Sequence, residues 1–216
     1  IEAIRQLRNE LGNSRSCFMH VTLIPYISAA KEIKTKPTQH SVKELQGMGI
    51  QPDILLCRSE VKISKEQKDK IAAFCNVNVK SVIEALDADS IYEVPIRYHE
   101  ENLDTQILKH FNILKPPKTN LNIWKKIITT QKKSEGNVLI GIVGKYTSTI
   151  DSYKSLIEAL NHGGLANKTK INIRWIDSEN LENKNYNLNM LKDLNGILVP
   201  GGFGKRGSEG KINSIK

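Results

Sequence analysis

The chain has 216 residues, of which 39% are hydrophobic and 25% are charged, a composition typical of a globular protein with one large domain or two small ones. No apolar run approaches the roughly 18 residues of a membrane span, and no basic and apolar leader opens the chain, so we expect a cytoplasmic protein without membrane contact. The formal net charge is +9, and the whole surplus lies in residues 114–216, which favours a solvated basic linker at residues 114–136 over nucleic-acid binding.

The first residues predict a helix, because Ile4, Leu7 and Leu11 share one helical face. Strand-like and helical segments then alternate. Strands are predicted at 16–26, 52–59 and, with ambiguous type, 79–86; helices are predicted at 38–49, 64–76 and 98–111. This alternation is typical of a parallel sheet covered by helices.

The three cysteines, Cys17, Cys57 and Cys75, are widely spaced in apolar surroundings and form no C-x-x-C pair. This pattern indicates reduced core residues and argues against both disulfide bonds and a zinc site.

The periodicity fails around Pro116 and Pro117, where a polar connector carries one short amphipathic helix at 121–130. Strands are then predicted at 137–146, 170–177 and 195–200, with a helix at 151–164 stopped by two glycines and another helix starting near residue 208. The predicted fold class is α/β, with two three-layer parallel-sheet (Rossmann-like) segments, both incomplete. The predicted boundaries are 1–113, a basic linker at 114–136, and 137–216. Since no methionine and no N-cap residue precede Glu2, we expect an internal piece of a longer protein.

The densest chemical signal of the first segment is KEIKTKPTQHS, residues 31–41. Pro37 disfavours the α region at Lys36, so Lys34 and Lys36 are predicted on an extended stretch with both ammonium groups on one face. Thr38 is then the expected N-cap of the next helix, whose free N–H groups complete a polyphosphate site. The alternative is a solvated basic loop.

Three further features carry open alternatives. Lys70 is either a ligand or a surface lysine of a helix. Asp87 and Asp89 follow a predicted strand, where they would hold a metal or cap a helix. The stretch ILVPGGFGKRG, residues 197–207, matches no nucleotide fingerprint, so its glycines mark either a tight turn or a functional loop.

Seven stretches, in this order and at these distances, closely resemble the CTP synthase family: KTKPTQHSVKEL, GIQPDILLCRS, KIAAFCNV, DADSIYEVP, GIVGKY, YKSLIEALNHGG and ILVPGGFGKRGSEG. The resemblance implies the later part of an ATP-dependent amidoligase domain, the interdomain linker and the beginning of a class I glutamine amidotransferase domain. Such enzymes make CTP from UTP, ATP and glutamine. They use Mg²⁺, are activated by GTP, are inhibited by CTP and work as homotetramers.

The resemblance also implies roles for individual residues. The segment that binds the triphosphate of UTP or CTP corresponds to Lys34, Thr35, Lys36, Pro37, Thr38 and Gln39, with Lys70 at the same site. The stretch against the adenine of ATP corresponds to Leu86, Asp87 and Ala88. Gly202 corresponds to half of an oxyanion hole for glutamine hydrolysis. The lid that GTP orders corresponds to Arg206, Gly207 and Glu209.

No P-loop, no acidic magnesium ligands and no Cys, His and Glu set of an amidotransferase are recognised in the sequence, and no metal site is assigned to it. We therefore expect the 216-residue chain alone to make no CTP, which an assay of UTP amination by the purified chain would check. Two alternatives to a ligase fragment stay open: a non-catalytic nucleotide-binding or assembly module, and another glutamine-dependent amidoligase.

Overall fold

A computed structural model describes residues 1–147, 149–182 and 188–216. The chain divides into two compact units, Ile1–Lys125 and Lys126–Lys216. No helix among the described residues is long and apolar enough to span a membrane. The predicted domain boundaries at residues 113 and 137 stay predictions.

The first unit is built on a parallel sheet of three strands in the order β1-β4-β5. These strands are β1 (Met19–Leu23), β4 (Ile54–Ser59) and β5 (Val82–Leu86). A short antiparallel hairpin of β2 (Tyr26–Ile27) and β3 (Glu32–Ile33) follows β1. The central strand β4 is buried on both faces, which explains its continuous apolar run.

Helices cover both faces of this sheet. They are α2 (Lys36–Gly47), α3 (Lys65–Cys75), α4 (Val94–Glu100) and α5 (Leu103–His110), whereas α1 (Glu2–Leu11) buries no residue of its own. Leu55 and Cys57 of β4 pack in one cluster with Val42 of α2 and Ile71 of α3. The alternate β4 residues Ile54 and Leu56 pack in another cluster with Leu103 of α5. This is the predicted helix–sheet–helix arrangement.

The predicted helix at 98–111 is wrong in one respect: two helices, α4 and α5, occupy this region. Asn102 between them has φ of +62°, a left-handed conformation that asparagine tolerates better than most residues. The apolar period continues through the break, because both helices pack against the same face of the sheet.

Two of the three cysteines lie in the core as predicted, and all three are free thiols. Burial raises the pKa of Cys57 to about 12 and that of Cys75 to about 11, so both thiols are protonated at neutral pH. Cys17 is only half-buried, and its pKa is raised by burial and by the charge of Asp53.

Helix α1 is attached to the first unit through a polar contact. Arg8 donates to both carboxylate oxygens of Asp53, at 2.6 and 3.1 Å, and its guanidinium lies 4.5 Å above the ring centre of Phe18. The predicted apolar face of the helix remains exposed at Ile4 and Leu7. The chain then continues to α6 (Asn122–Lys132), the amphipathic helix predicted in the connector.

The second unit is built on another parallel sheet, with strand order β7-β6-β8. Its elements are β6 (Gly136–Gly144), α7 (Lys154–Ala166), β7 (Thr169–Asp177), β8 (Gly196–Leu198) and α8 (Ser208–Ile215). Val143, Ile176 and Leu181 form the centre of its core. The predicted fold class, two Rossmann-like parallel-sheet segments, is therefore confirmed.

The prediction that Gly163 and Gly164 stop α7 is wrong, because the helix continues to Ala166. Gly164 has a packing reason instead: a Cβ atom there would lie 2.6 Å from the carbonyl oxygen of Thr169. The glycine allows α7 to pack closely against the start of β7.

Candidate functional site

The predicted nucleotide-binding residues of the first unit lie at one edge of its sheet. The strands are parallel, so their carboxyl ends meet there, and open α/β sheets bind ligands at this edge. Helix α2 begins beside the end of β1, since the Thr38 hydroxyl donates to the carbonyl oxygen of Leu23 at 3.1 Å. Residues 86–88 follow the end of β5.

The local conformation of residues 34–39 differs from the prediction. Helix α2 begins at Lys36 with Thr35 as its N-cap, so Lys36 is helical and does not share an extended face with Lys34. Proline is well tolerated in the first turn of a helix, where its missing N–H would have no partner. Lys36, as the residue before a proline, favours extended backbone, but the burial of Thr35 and Thr38 stabilises the helical start more strongly.

The two threonines of this segment bind protein groups. Thr38 is fully buried and is not an N-cap, because its hydroxyl accepts from the Thr22 hydroxyl at 3.0 Å and donates to Leu23. The Thr35 hydroxyl accepts from the side-chain amide of Gln39 at 3.2 Å. These contacts fix the start of α2, while Lys36 and Pro37 remain exposed.

Lys34 and Lys70 both interact with Glu32, on the surface at the end of the hairpin. The Lys34 ammonium donates to the Glu32 carboxylate at 2.6 Å. The hydrogen bond from Lys34, the charge of Lys34 and the charge of Lys70 together hold the pKa of Glu32 below its usual value. Lys70 on α3 acts on this carboxylate through its charge alone, although 36 positions separate it from Lys34 in the sequence. Glu32 itself carried no sequence signal beyond its place two residues before Lys34.

Leu86, Asp87 and Ala88 line one open cleft of about 410 Å³ beside Ile91 and Tyr98. Asp87 is held by two arginines. Its carboxylate accepts from Arg58 at 2.8 Å, and its carbonyl oxygen accepts from Arg97 at 2.7 Å. The two alternatives for Asp87, a metal ligand or a helix cap, stay predictions, since its ion pair with Arg58 lies on the surface.

The glycine turn of the second unit, residues 200–207, follows β8 and ends at the N-terminus of α8. Gly204 and Gly207 have φ of +80° and +68°, which explains why glycine occupies both positions. Phe203 is 97% exposed at the tip of the turn. The Gly202 N–H donates to no acceptor within residues 1–147, 149–182 and 188–216, so it is available to a ligand.

Two lysines hold the turn through its carbonyl groups. Lys145, directly after β6, is 5% exposed and donates to the carbonyl oxygens of Phe203 at 3.1 Å and Gly204 at 2.6 Å. Lys211 of α8 donates to the carbonyl oxygen of Pro200 at 2.7 Å. Burial and the charge of Lys145 lower the pKa of Lys211. Two ammonium groups therefore lie against the turn.

The predicted lid residues lie where the turn enters α8. Arg206 pairs with Glu179 at 3.0 Å and donates to the carbonyl oxygen of Lys145 at 3.2 Å. Gly207 is the N-cap of α8, and a Cβ atom there would overlap the Ser178 hydroxyl. Glu209 is exposed in the first turn of α8, where a negative charge complements the helix dipole.

Comparison with known proteins gives each unit a family. Residues 1–113 match the family described as CTP synthase N-terminus, and residues 148–216 match glutamine amidotransferase class-I. Over all 216 residues the chain is 56% identical to a CTP synthase of Sphingopyxis alaskensis and 55% identical to one of Rhodospirillum rubrum. A CTP synthase of Hyphomonas neptunium is 56% identical over 211 residues, or 98% of this chain.

The chain belongs to the CTP synthase family. It spans about 40% of the length of these curated relatives, so it is a fragment of such an enzyme. The residues to which the resemblance assigns roles fall into three groups in the fold. These are Lys34 to Gln39 with Lys70, the cleft at 86–88, and residues 202–209 of the glycine turn and the start of α8.

Three residues that contact these regions were not predicted from the sequence: Glu32, Lys145 and Lys211. Glu32 precedes Lys34 by two positions on a short strand, a spacing that could have suggested an ion pair. Lys145 and Lys211 contact the glycine turn from other elements, and no local pattern indicates such contacts.

Proposed function

We propose that the full-length protein containing this chain converts UTP to CTP, using ATP and either glutamine or ammonia. The observation that carries the proposal is the position of Lys34 and of the start of α2 beside the carboxyl end of β1, where α/β proteins bind ligands. The identity of the whole chain to proteins named CTP synthase supports the same assignment.

In this proposal the ammonium groups of Lys34, Lys36 and Lys70 bind the triphosphate of UTP, and that of the inhibitor CTP. A phosphate oxygen replaces the Glu32 carboxylate as the partner of Lys34, which exchanges one charge-assisted hydrogen bond for another. The start of α2 adds N–H groups that no side chain caps. The cleft at Leu86, Asp87 and Ala88 receives the adenine of ATP.

The reaction has two steps. The O4 atom of UTP attacks the γ-phosphorus of ATP, and ADP leaves. Ammonia then adds at C4, a proton is lost, and the C4–O bond breaks to release phosphate and CTP. The residues of this chain bind and orient the two nucleotides for these steps.

Mg²⁺ belongs to the proposed chemistry through its complex with ATP, but the described residues do not fit a Mg²⁺ site. The one group of ligand-type atoms is Cys17, Asp53 and His110. Mg²⁺ prefers oxygen ligands, and both Asp53 oxygens already accept hydrogen bonds from Arg8. No step is therefore assigned to a metal held by these residues.

The second unit is proposed to take part in glutamine hydrolysis. The Gly202 N–H is one donor to the oxygen of the tetrahedral intermediate. Arg206, Gly207 and Glu209 form the lid that GTP orders as an activator. The enzyme is proposed to be a cytoplasmic homotetramer.

The assignment is tested by incubating the purified full-length protein with UTP, ATP and Mg²⁺ and separating the nucleotides chromatographically. CTP should form with glutamine and with ammonium chloride, and GTP should stimulate only the glutamine reaction. Absence of CTP with both nitrogen sources would contradict the proposal.

Neutralising Lys34 or Lys36 in the full-length enzyme should weaken the binding of UTP and CTP, with a smaller effect on ATP. Each variant, Lys34→Gln or Lys36→Gln, loses charge-assisted contacts of about 1.5 to 3 kcal/mol, roughly tenfold to a hundredfold in affinity. The KM for UTP and the inhibition constant of CTP measure this effect.

Lys43→Gln is the matched control, because Lys43 is an exposed lysine of α2 beyond its first turn. Wild-type values for both pyrimidine nucleotides in the Lys34 and Lys36 variants would favour the solvated basic loop.

A further inference from the structure

Lys145 is a buried cation whose partners are neutral. It is 5% exposed, and two of the three N–H groups of its ammonium donate hydrogen bonds to the Phe203 and Gly204 carbonyl oxygens. No carboxylate of the described residues forms a salt bridge with Lys145 or Lys211. Burying a charge is costly without strong hydrogen bonds, so the turn carbonyls must supply the compensation. The ammonium group and the turn therefore hold each other in place.

Lys211 supplies the second contact from the other end of the turn. Its Nζ atom lies 2.7 Å from the carbonyl oxygen of Pro200. Pro200 and Phe203 flank the two consecutive glycines of the turn, Gly201 and Gly202. One lysine therefore holds the peptide group before the glycine pair, and the other holds the peptide groups after it.

Gly202 lies close to the side chains of both lysines. A Cβ atom added at Gly202 would lie 3.2 Å from Lys211 Nζ and 3.6 Å from Lys145 Cδ. Both side chains therefore pass along the same side of Gly202. Because glycine backbone is otherwise free to rotate, the peptide group between Gly201 and Gly202 needs such external contacts to keep one orientation.

We propose that Lys145 and Lys211 are positioning residues, which hold the glycine turn so that the Gly202 N–H faces the glutamine carbonyl. The inference rests on the proposed function of the turn in glutamine hydrolysis. Donors to an oxyanion stabilise it only when they are oriented before the reaction, so loss of either lysine reduces turnover through geometry. The two ammonium groups also add positive charge beside the developing oxyanion.

The test compares Lys145→Met and Lys211→Met in the full-length enzyme, because methionine keeps side-chain length and removes the charge and the donors. The kcat and KM for glutamine hydrolysis are measured together with ammonia-dependent CTP formation and the melting temperature. We expect the kcat for glutamine to fall about a hundredfold in Lys145→Met and about tenfold in Lys211→Met, since misplacement by an ångström has effects of this size. The KM for glutamine and the ammonia reaction should change by less than about threefold.

Two further variants separate positioning from general stability. Lys211→Arg retains a cationic donor and should recover part of the lost kcat. Lys170→Met removes an exposed lysine of β7 and should leave the kcat unchanged. Glutamine turnover within twofold of wild type in both methionine variants, or equal losses with glutamine and ammonia, would overturn the inference. Lys211→Met remains informative if Lys145→Met fails to fold.

A second readout does not depend on catalysis. A loosened turn should be cut faster by trypsin after the exposed Lys205 or Arg206, so cleavage at these two sites should accelerate in both methionine variants but not in Lys170→Met. Unchanged cleavage would contradict the positioning role even if the protein made no CTP. Inactivity of the wild type with both nitrogen sources would instead contradict the proposed function.

Discussion

Replacing Gly202 with proline in the full-length enzyme should abolish glutamine-dependent CTP formation and largely spare the ammonia-dependent reaction. Proline has no N–H, so the variant loses the donor that the Gly202 backbone is proposed to offer the oxyanion. Loss of one such hydrogen bond typically costs roughly 2.7 to 4 kcal/mol of transition-state stabilisation, or about a hundredfold to a thousandfold in rate. Free ammonia bypasses glutamine hydrolysis, so the second reaction also controls for misfolding.

Two alanine variants separate the N–H from the shape of the turn. Gly201→Ala adds a Cβ atom with nothing within 4 Å and should leave glutamine use near the wild-type rate. Gly202→Ala keeps the N–H but places its Cβ atom 3.2 Å from Lys211 Nζ, so it should fall between wild type and proline. Kinetics with both nitrogen sources decide the matter. Undiminished glutamine use by Gly202→Pro would remove this residue from the oxyanion hole, and equal losses would indicate a structural turn.

The strands of both sheets could be predicted from local runs of apolar residues, most clearly where a central parallel strand is buried on both faces. β4 illustrates this, since Ile54 to Cys57 are all buried. The helix errors have a different origin. At Asn102 the chain turns between two helices that pack on the same face, and at Gly164 a glycine serves close packing inside a helix. Neither circumstance changes the local apolar period.

The roles of the candidate nucleotide residues stay predictions, and the conformation predicted from the sequence is wrong at Lys36 and Thr38. The preference of a residue before proline is modest, and the buried contacts of Thr38 with Thr22 and Leu23 exceed it. The lysine contacts of the glycine turn were beyond prediction, because Lys145 precedes Phe203 by 58 positions. Such pairs are determined by the packing of β6, β8 and α8 together.

Two glycines inside helices test this packing. The space around an added Cβ atom decides whether replacement by alanine raises or lowers the stability of the protein. Gly210 of α8 is buried against the turn at Ser178–Leu181, and a Cβ atom there would overlap the Ser178 carbonyl oxygen and lie 2.7 Å from its carbonyl carbon. Gly163 of α7 has nothing within 4 Å of the corresponding position. Alanine favours a helix over glycine by about 0.8 to 1 kcal/mol, so steric overlap alone separates the two sites.

We expect Gly163→Ala to raise the melting temperature of the full-length enzyme slightly and Gly210→Ala to lower it by several degrees. Overpacking typically costs about 1 to 3 kcal/mol, and here a backbone carbonyl must move, because no flexible side chain can yield. Displacement of α8 would also move Lys211 away from Pro200, so Gly210→Ala should lose glutamine-dependent activity while keeping the ammonia reaction. Differential scanning fluorimetry and kinetics with both nitrogen sources measure the two effects. A Gly210→Ala enzyme as stable and as active with glutamine as Gly163→Ala would show that α8 does not pack on Ser178 in this way.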